Sequence, residues 1–251
     1  MFKSLFFIVF IVLFSMEPLV IFASDDVGFR FVRVRYDDYS RNRRGGGFWG
    51  RRGGPRRGMW ATDYPTSDFN ITEAIERTTE ITIMGEPLVF SFLDSAIFQY
   101  PVVYLTEPGY WKTNPEEVRN IRKYLDRGGF LIIDDFHDYG GFGEQWYNMY
   151  DNMKQVLPEK EPVRLKEDHP IWSIYFDIDP IEAASTKPGF SRYDDEYYAF
   201  FDEEGRIMCI ICYNQDISDG WEHPFGRVVL AEASTVSFQM GINFIIYALT
   251  H

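Results

Sequence analysis

Cysteine is scarce in this chain: there are two in 251 residues, Cys209 and Cys212. Both fall in RIMCIICY (206–213), an apolar, β-branched run that reads as a strand. Three residues of extended chain hold their α-carbons roughly 10 Å apart and send the side chains to opposite faces, so the two cannot bridge each other. The spacing therefore favours buried thiols over a redox or metal-binding pair. Long hydrophobic runs are absent after residue 23, and no later segment is apolar enough to cross a bilayer. No linker-like stretch divides the chain after residue 60, which points to one large domain spanning 24–251. Basic residues are also unevenly supplied. The formal charge is −13, yet residues 24–60 hold ten arginines against four aspartates for a net +6, which leaves −19 on residues 61–251. So acidic a body makes nucleic acid a poor partner.

What is present begins with MFKSLFFIVFIVLFSMEPLVIFASDD. One lysine, an apolar run from Leu5 to Phe14 and a small residue at Ala23 make the pattern of a secretory signal peptide, residues 1–23, cut near the Ala23–Ser24 bond. The alternative is an uncleaved N-terminal anchor, because Leu5 to Ala23 approaches the length that spans a bilayer. Either way the remaining chain is expected to be exported: periplasmic, or membrane-anchored and facing the periplasm. A membrane is expected as a partner only through an uncleaved N-terminus. The segment RNRRGGGFWGRRGGPRRG (41–58) is low in complexity and reads as a flexible surface loop. The competing reading is an arginine and aromatic grip on an anionic polymer or lipid.

The periods then lay out an α/β order. FRFVRVR (29–35) alternates as a strand, the Asn70–Glu73 spacing in NITEAIERTT fits a short capped helix, and LVFSFL and PVVYLTE read as strands. In TNPEEVRNIRKYLDRGG, Asn114 and Glu117 form a capping box, Pro115 suits the first helical position, and Val118, Ile121, Tyr124 and Leu125 share one face. FLIIDD follows directly. Two apolar strands joined by one helix predict a parallel βαβ unit covered on both faces. EQWYNMYDNMKQVLP reads as a second amphipathic helix, YYAFFDEEGRIMCIICY as a hairpin turning at Glu204–Gly205, RVVLAEA as a buried strand and TVSFQMGINFIIYALT as a closing helix. The expected architecture is a three-layer α/β sandwich with a mainly parallel, flavodoxin-like sheet.

In such sheets ligands bind beyond the carboxyl ends of the strands. There the sequence places Glu107, the Asp134–Asp135 pair and His137, with Asn214, Asp216, Glu222 and His223 arriving from the end of the cysteine-bearing strand. His169, in DHPIW, is a further candidate for this crevice; the alternative is a structural histidine before proline. The carboxylates could hold a hard divalent cation, or raise one another's pKa as acid–base chemistry on glycosides requires. No cofactor is otherwise predicted. The simpler reading is that one aspartate caps loop amides, since neighbouring residues of a strand face opposite sides.

The motifs WATDYPTSDFNI, YPVVYL, LDRGGFLIIDDF, DHPIW, YNQDISDGWE and MGINFIIYALT together resemble the bacterial domain of unknown function 4159, over most of residues 29 to 250. That resemblance implies a fold similar to class I glutamine amidotransferases and to the trehalose-utilisation (ThuA-like) proteins. It also exposes a departure. Amidotransferases carry a catalytic cysteine on the turn where this chain has Asp134, Asp135 and Phe136, so glutaminase activity is not expected. Two functions remain. One is a non-catalytic module that binds a polar small molecule such as a sugar, or a cell-envelope protein. The other is a carbohydrate hydrolase or lyase pairing Asp134 or Asp135 with Glu107 or Glu222, with a histidine as an orienting or metal-binding group.

Overall fold

The structure, a computed structural model, describes residues 28–38, 58–138, 140–180, 196–224 and 231–251. The signal-like segment, the arginine–glycine stretch up to Arg57 and RVVL (227–230) lie outside the described residues. In chain order the strands are β1 (Val32–Val34), β2 (Asp37–Asp38), β3 (Leu88–Phe90), β4 (Val102–Thr106), β5 (Trp111–Lys112), β6 (Phe130–Asp134), β7 (Val163–Arg164), β8 (Glu196–Phe201) and β9 (Ile207–Tyr213). The α-helices are α1 (Thr66–Thr78), α2 (Pro115–Asp126), α3 (Glu144–Val156), α4 (Ile217–Glu222) and α5 (Ala231–Thr250).

Seven strands form one sheet in the order β3-β1-β4-β6-β9-β8-β7, with β2 and β5 in a separate antiparallel ribbon. Only β8 runs against its neighbours. The expected βαβ unit is present: β4 and β6 are parallel, with Val102 opposite Phe130 and Thr106 opposite Asp134. Counted in chain order, the five mutually parallel strands β1, β3, β4, β6 and β9 run 2-1-3-4-5 across the sheet.

Side-chain alternation along these strands builds two cores. Val102, Tyr104, Phe130 and Ile132 pack with Ile71 and Ile75 of α1, Ile217 and Trp221 of α4, and Met240 and Ile245 of α5. Val103, Leu105, Leu131 and Ile133 pack with Ile121 and Leu125 of α2 and Met149 and Met153 of α3. The sheet is thus the middle of three layers. At the start of α2, Asn114 Oδ1 accepts from the amides of Glu116 and Glu117 at 2.9 and 3.0 Å, and Glu117 Oε2 accepts from the Asn114 amide at 3.0 Å. Gly128, at φ +93°, supplies the left-handed turn that ends the helix and leads into β6. Among the described residues no helix is long and apolar enough to cross a membrane.

Three expectations need correction. Helix α1 begins at Thr66, four residues before Asn70, because Ser67 and Asp68 are tied to a buried arginine; Asn70 instead donates from Nδ2 to the Trp221 carbonyl at 2.7 Å. Ala231–Ala233, read as the end of a strand, begin α5, where helical spacing places Ala233 and Ser234 against the core. Leu249, assigned to the packed face of that helix, is exposed near its end.

Cys209 and Cys212 lie inside β9, fully buried and in different cores, with no disulfide between them. Thiol titration of unreduced protein after denaturation is therefore expected to count two groups. A count of zero would contradict the strand.

Candidate functional site at the carboxyl edge

The chain leaves β1 for β3 through α1, on one face of the sheet, and leaves β4 for β6 through α2, on the other. The connections therefore diverge between β1 and β4, and beyond the carboxyl ends of those two strands lies the place where sheets of this kind hold their ligands, called the crevice below. Four chain segments bring polar groups to it: residues after β4, β6 and β9, and the stretch before α1. Asp63, Glu107, Asp135 and Asn214 are the four non-glycine residues with positive φ among those described, at +60°, +53°, +60° and +57°. Each such residue stores on the order of 1 kcal/mol or more of backbone strain, less for Asp and Asn, and such strain gathers at functional sites.

The walls hold these positions firmly. Tyr36, just past β1, donates its hydroxyl to the carbonyls of Thr106 and Glu107, both at 2.8 Å, and so links the ends of β1 and β4. Arg33 of β1 is fully buried beneath the Asp63 segment. Its guanidinium donates to Asp68 at 2.5 to 3.0 Å, to Ser67 Oγ at 2.9 Å, and to the carbonyls of Trp60 and Thr62 at 3.2 and 3.0 Å. Asp63 is thereby presented by a loop bolted from below.

The adjacent aspartates divide as strand alternation requires. Asp134 is structural: fully buried, it accepts from the Tyr104 hydroxyl at 2.8 Å and from the amides of Ile217 and Ser218 at 3.1 and 3.2 Å, which caps α4. Asp135 accepts from Thr106 Oγ1 at 3.2 Å and faces the acidic group; burial, then Asp216, Glu107 and Asp63, push its pKa far above the usual carboxylate range. Glu107 is raised to about 8 by burial and then by Asp216 and Asp63. Asp63 is raised to about 6 by burial and by Asp216, although a hydrogen bond donated by Ser218 Oγ at 2.7 Å works the other way. Glu222 is raised by burial and by Asp63. Its Oε2 lies 3.2 Å from His223 Nε2. Asp216 caps α4 by accepting from the Asp219 amide at 2.9 Å.

The structure thus brings together Glu107, Asp135, Asp216 and Glu222, with His223 beside the last. Asn214 is spent on structure: its Oδ1 accepts from the Asp138 amide at 2.9 Å, and Asp138 in turn accepts from the Gln145 and Trp146 amides at the start of α3. His137 is half-buried on the loop after β6, where its carbonyl accepts from Gln145 Nε2 at 2.8 Å. His169 is not in the crevice. It packs against Phe201 and Tyr247 near the amino end of β9, and its Nδ1 accepts from the Ile171 amide at 3.2 Å, closing the turn that Pro170 starts. Sequence reasoning missed Asp63 and Asp219. Asp63 had a usable signal, since it ends the connection from the first strand to its helix. Among the described residues two sets of groups have ligand atoms close enough to share an ion, Asp63–Asp216–Asp219 and Asp219–Glu222–His223.

Replacing Asp134 by asparagine is expected to lower stability by about 1–3 kcal/mol, because the charged acceptor of three buried hydrogen bonds becomes a neutral one. At pH 8 the Asp135→Asn variant should match or exceed the wild type, because it removes a group whose ionised form is disfavoured by burial and by its acidic neighbours. Urea midpoints of the two variants check this.

Fold and site together define a three-layer α/β protein with an acidic crevice at the carboxyl edge of its sheet. The chain belongs to the family Domain of unknown function (DUF4159), whose sequence profile matches residues 30–249. No curated protein matches it.

Proposed function

We propose that this chain is a non-catalytic binding module whose crevice takes a polar, hydroxyl-bearing small molecule such as a sugar. The observation that carries the reading is the convergence of Asp63, Glu107 and Asp135, all in left-handed backbone, on the point where the sheet connections diverge. Carboxyl groups with raised pKa values are suited to hydroxyls, because the protonated form donates and the ionised form accepts. Trp60 and Tyr64, with ring centroids 5.8 Å apart on the segment that carries Asp63, offer apolar faces of the kind sugar rings stack against.

The 2-1-3-4-5 strand order and the family membership support the flavodoxin-like, class I glutamine amidotransferase-like (ThuA-like) reading of the fold. The amidotransferase reaction is not part of the proposal. The turn after β6 offers Asp135 and Phe136 in place of a cysteine, and burial pushes the Cys209 thiol far from its reactive form. Hydrolysis by the same carboxyl groups is the less supported use, because Asp134 is consumed by three donors. Export, with a periplasmic or anchored location and a cell-envelope ligand or partner, rests on the N-terminal sequence alone.

Thermal melts at pH 7 with a panel of neutral sugars, amino sugars and uronic acids test the reading. A saturable rise in melting temperature for at least one class is expected in the wild type, and its loss in Glu107→Gln. If no member of the panel stabilises the wild type, the crevice is not a sugar site.

A further inference from the structure

Helices α1 and α5 cover the same face of the sheet and leave between them a cleft of about 460 Å³. Small-molecule pockets measure about 300–1,000 Å³, so the cleft is large enough for one ligand. Its apolar lining comes from Ala74 of α1, Phe238 and Ile242 of α5, and Phe176 on the segment that follows Trp172. The short side chain of Ala74 leaves the room that a larger residue would take.

Apolar gaps between packed helices ordinarily close, and this one is held open by ties on either end of α1. Near its start the Asn70 amide donates to the Trp221 carbonyl at 2.7 Å, and at its end the Thr78 carbonyl accepts from the Tyr175 hydroxyl. Phe176 is fixed as well. Asn243, fully buried, spends both amide functions on that one residue: its Oδ1 accepts from the Phe176 amide and its Nδ2 donates to the Phe176 carbonyl, both at 2.9 Å. The walls are therefore set before any ligand arrives, as in most small-molecule sites.

Among the described residues the charged groups of the lining are Glu73 and Arg77, one turn apart on α1. Their ion pair, Arg77 Nη2 to Glu73 Oε1 at 2.5 Å, joins two exposed side chains and is therefore weak. It occupies one nitrogen of the guanidinium, so the other donors of the fork can take a second carboxylate. Gln239 of α5 adds an amide to the same lining. We infer that the cleft is a second binding site, which takes an amphipathic carboxylate: its aliphatic body lies on Ala74, Phe176, Phe238 and Ile242, and its head meets Arg77. The site shares no residue with the crevice and does not rest on the sugar reading.

The test titrates the full chain calorimetrically with sodium octanoate at pH 7, with octanol and octylamine as the neutral and cationic molecules of equal length. One saturable site per chain is expected for octanoate, with the other two weaker by roughly tenfold or more. Arg77→Gln, at an exposed position, should weaken octanoate by roughly tenfold or more and leave octanol unchanged. Ala74→Phe fills the cleft and should abolish octanoate binding, with far-ultraviolet dichroism showing whether the variant is folded. Absence of a saturable site in the wild type, or octanoate bound by folded Ala74→Phe as by the wild type, overturns the inference. Octanol or octylamine bound as tightly as octanoate, or an Arg77→Gln variant that binds octanoate undiminished, overturns the carboxylate and with it the proposal. If Ala74→Phe does not fold, the Arg77→Gln comparison decides alone.

Discussion

Methionine in place of Arg33 is expected to cost about 3–5 kcal/mol, a large share of a typical domain's stability, because it strands Asp68 as an uncompensated charge in the core. Both side chains of this ion pair are fully buried. The arginine also satisfies two backbone carbonyls and Ser67, and its guanidinium lies 5.0 Å from the Tyr104 ring centre. Methionine fills a similar volume, so the loss comes from charge and hydrogen bonding more than from a cavity. The double variant Arg33→Met, Asp68→Leu should recover part of the stability, since no lone charge remains, but the carbonyls of Trp60 and Thr62 stay without their donor. Urea denaturation followed by far-ultraviolet dichroism reads all three proteins. A single variant as stable as the wild type would mean that the Arg33–Asp68 pair holds nothing.

Stability is expected to fall as pH rises through the neutral range, opposite to proteins whose carboxylates are salt-bridged. Asp63 and Glu107 have folded pKa values of about 6 and 8 against ordinary values of 3.8 and 4.5, and Asp135 is raised as well. Well below the ordinary values all three are protonated in both states and contribute nothing to the slope. Between the ordinary and the raised values the folded protein binds more protons than the unfolded chain, so unfolding becomes easier with each unit of pH. The decline begins near pH 4, and the part due to Glu107 levels off above pH 8. For Glu107 alone the loss between pH 5 and 8 is on the order of 2 kcal/mol, reduced because the groups share their protons. Subtracting the Glu107→Gln stability curve from that of the wild type, both metal-free, isolates this contribution. A difference that does not change with pH would mean that Glu107 titrates like an exposed carboxylate.

Segments whose neighbours in sequence are also their neighbours in space were the easiest to read. Helix α2 declares itself through Asn114, Pro115 and Glu117, all of which act within one turn, and the apolar strands on either side leave little but a parallel pairing. The split between Asp134 and Asp135 was legible in form, since alternation demands it, but not in assignment. Which aspartate caps depends on the amides of Ile217 and Ser218, more than eighty residues further on. Arg33 shows the limit more sharply. In FRFVRVR it looks like the outward residue of an alternating strand, yet its partner Asp68 lies 35 residues away and draws it into the core. The same pair moves the start of α1 upstream of the position that Asn70 suggested. His169 misled because a histidine before proline looks alike at either end of a sheet; only the packing of Phe201 and Tyr247 puts it at the amino end.

Both margins of the sheet are short, three residues at Leu88–Phe90 and two at Val163–Arg164. A strand margin is a template on which another chain can extend the hydrogen-bond ladder. Two residues give that ladder almost no length, and Arg164, with carboxylates of Glu196 and Glu167 at 3.0 and 3.6 Å, crowds the margin with charge that an incoming backbone would have to displace. Growth of the sheet from one molecule to the next is therefore disfavoured even in concentrated solution. Among the described residues, the Val163–Arg164 margin thus offers an incoming backbone little to pair with and a charge to displace.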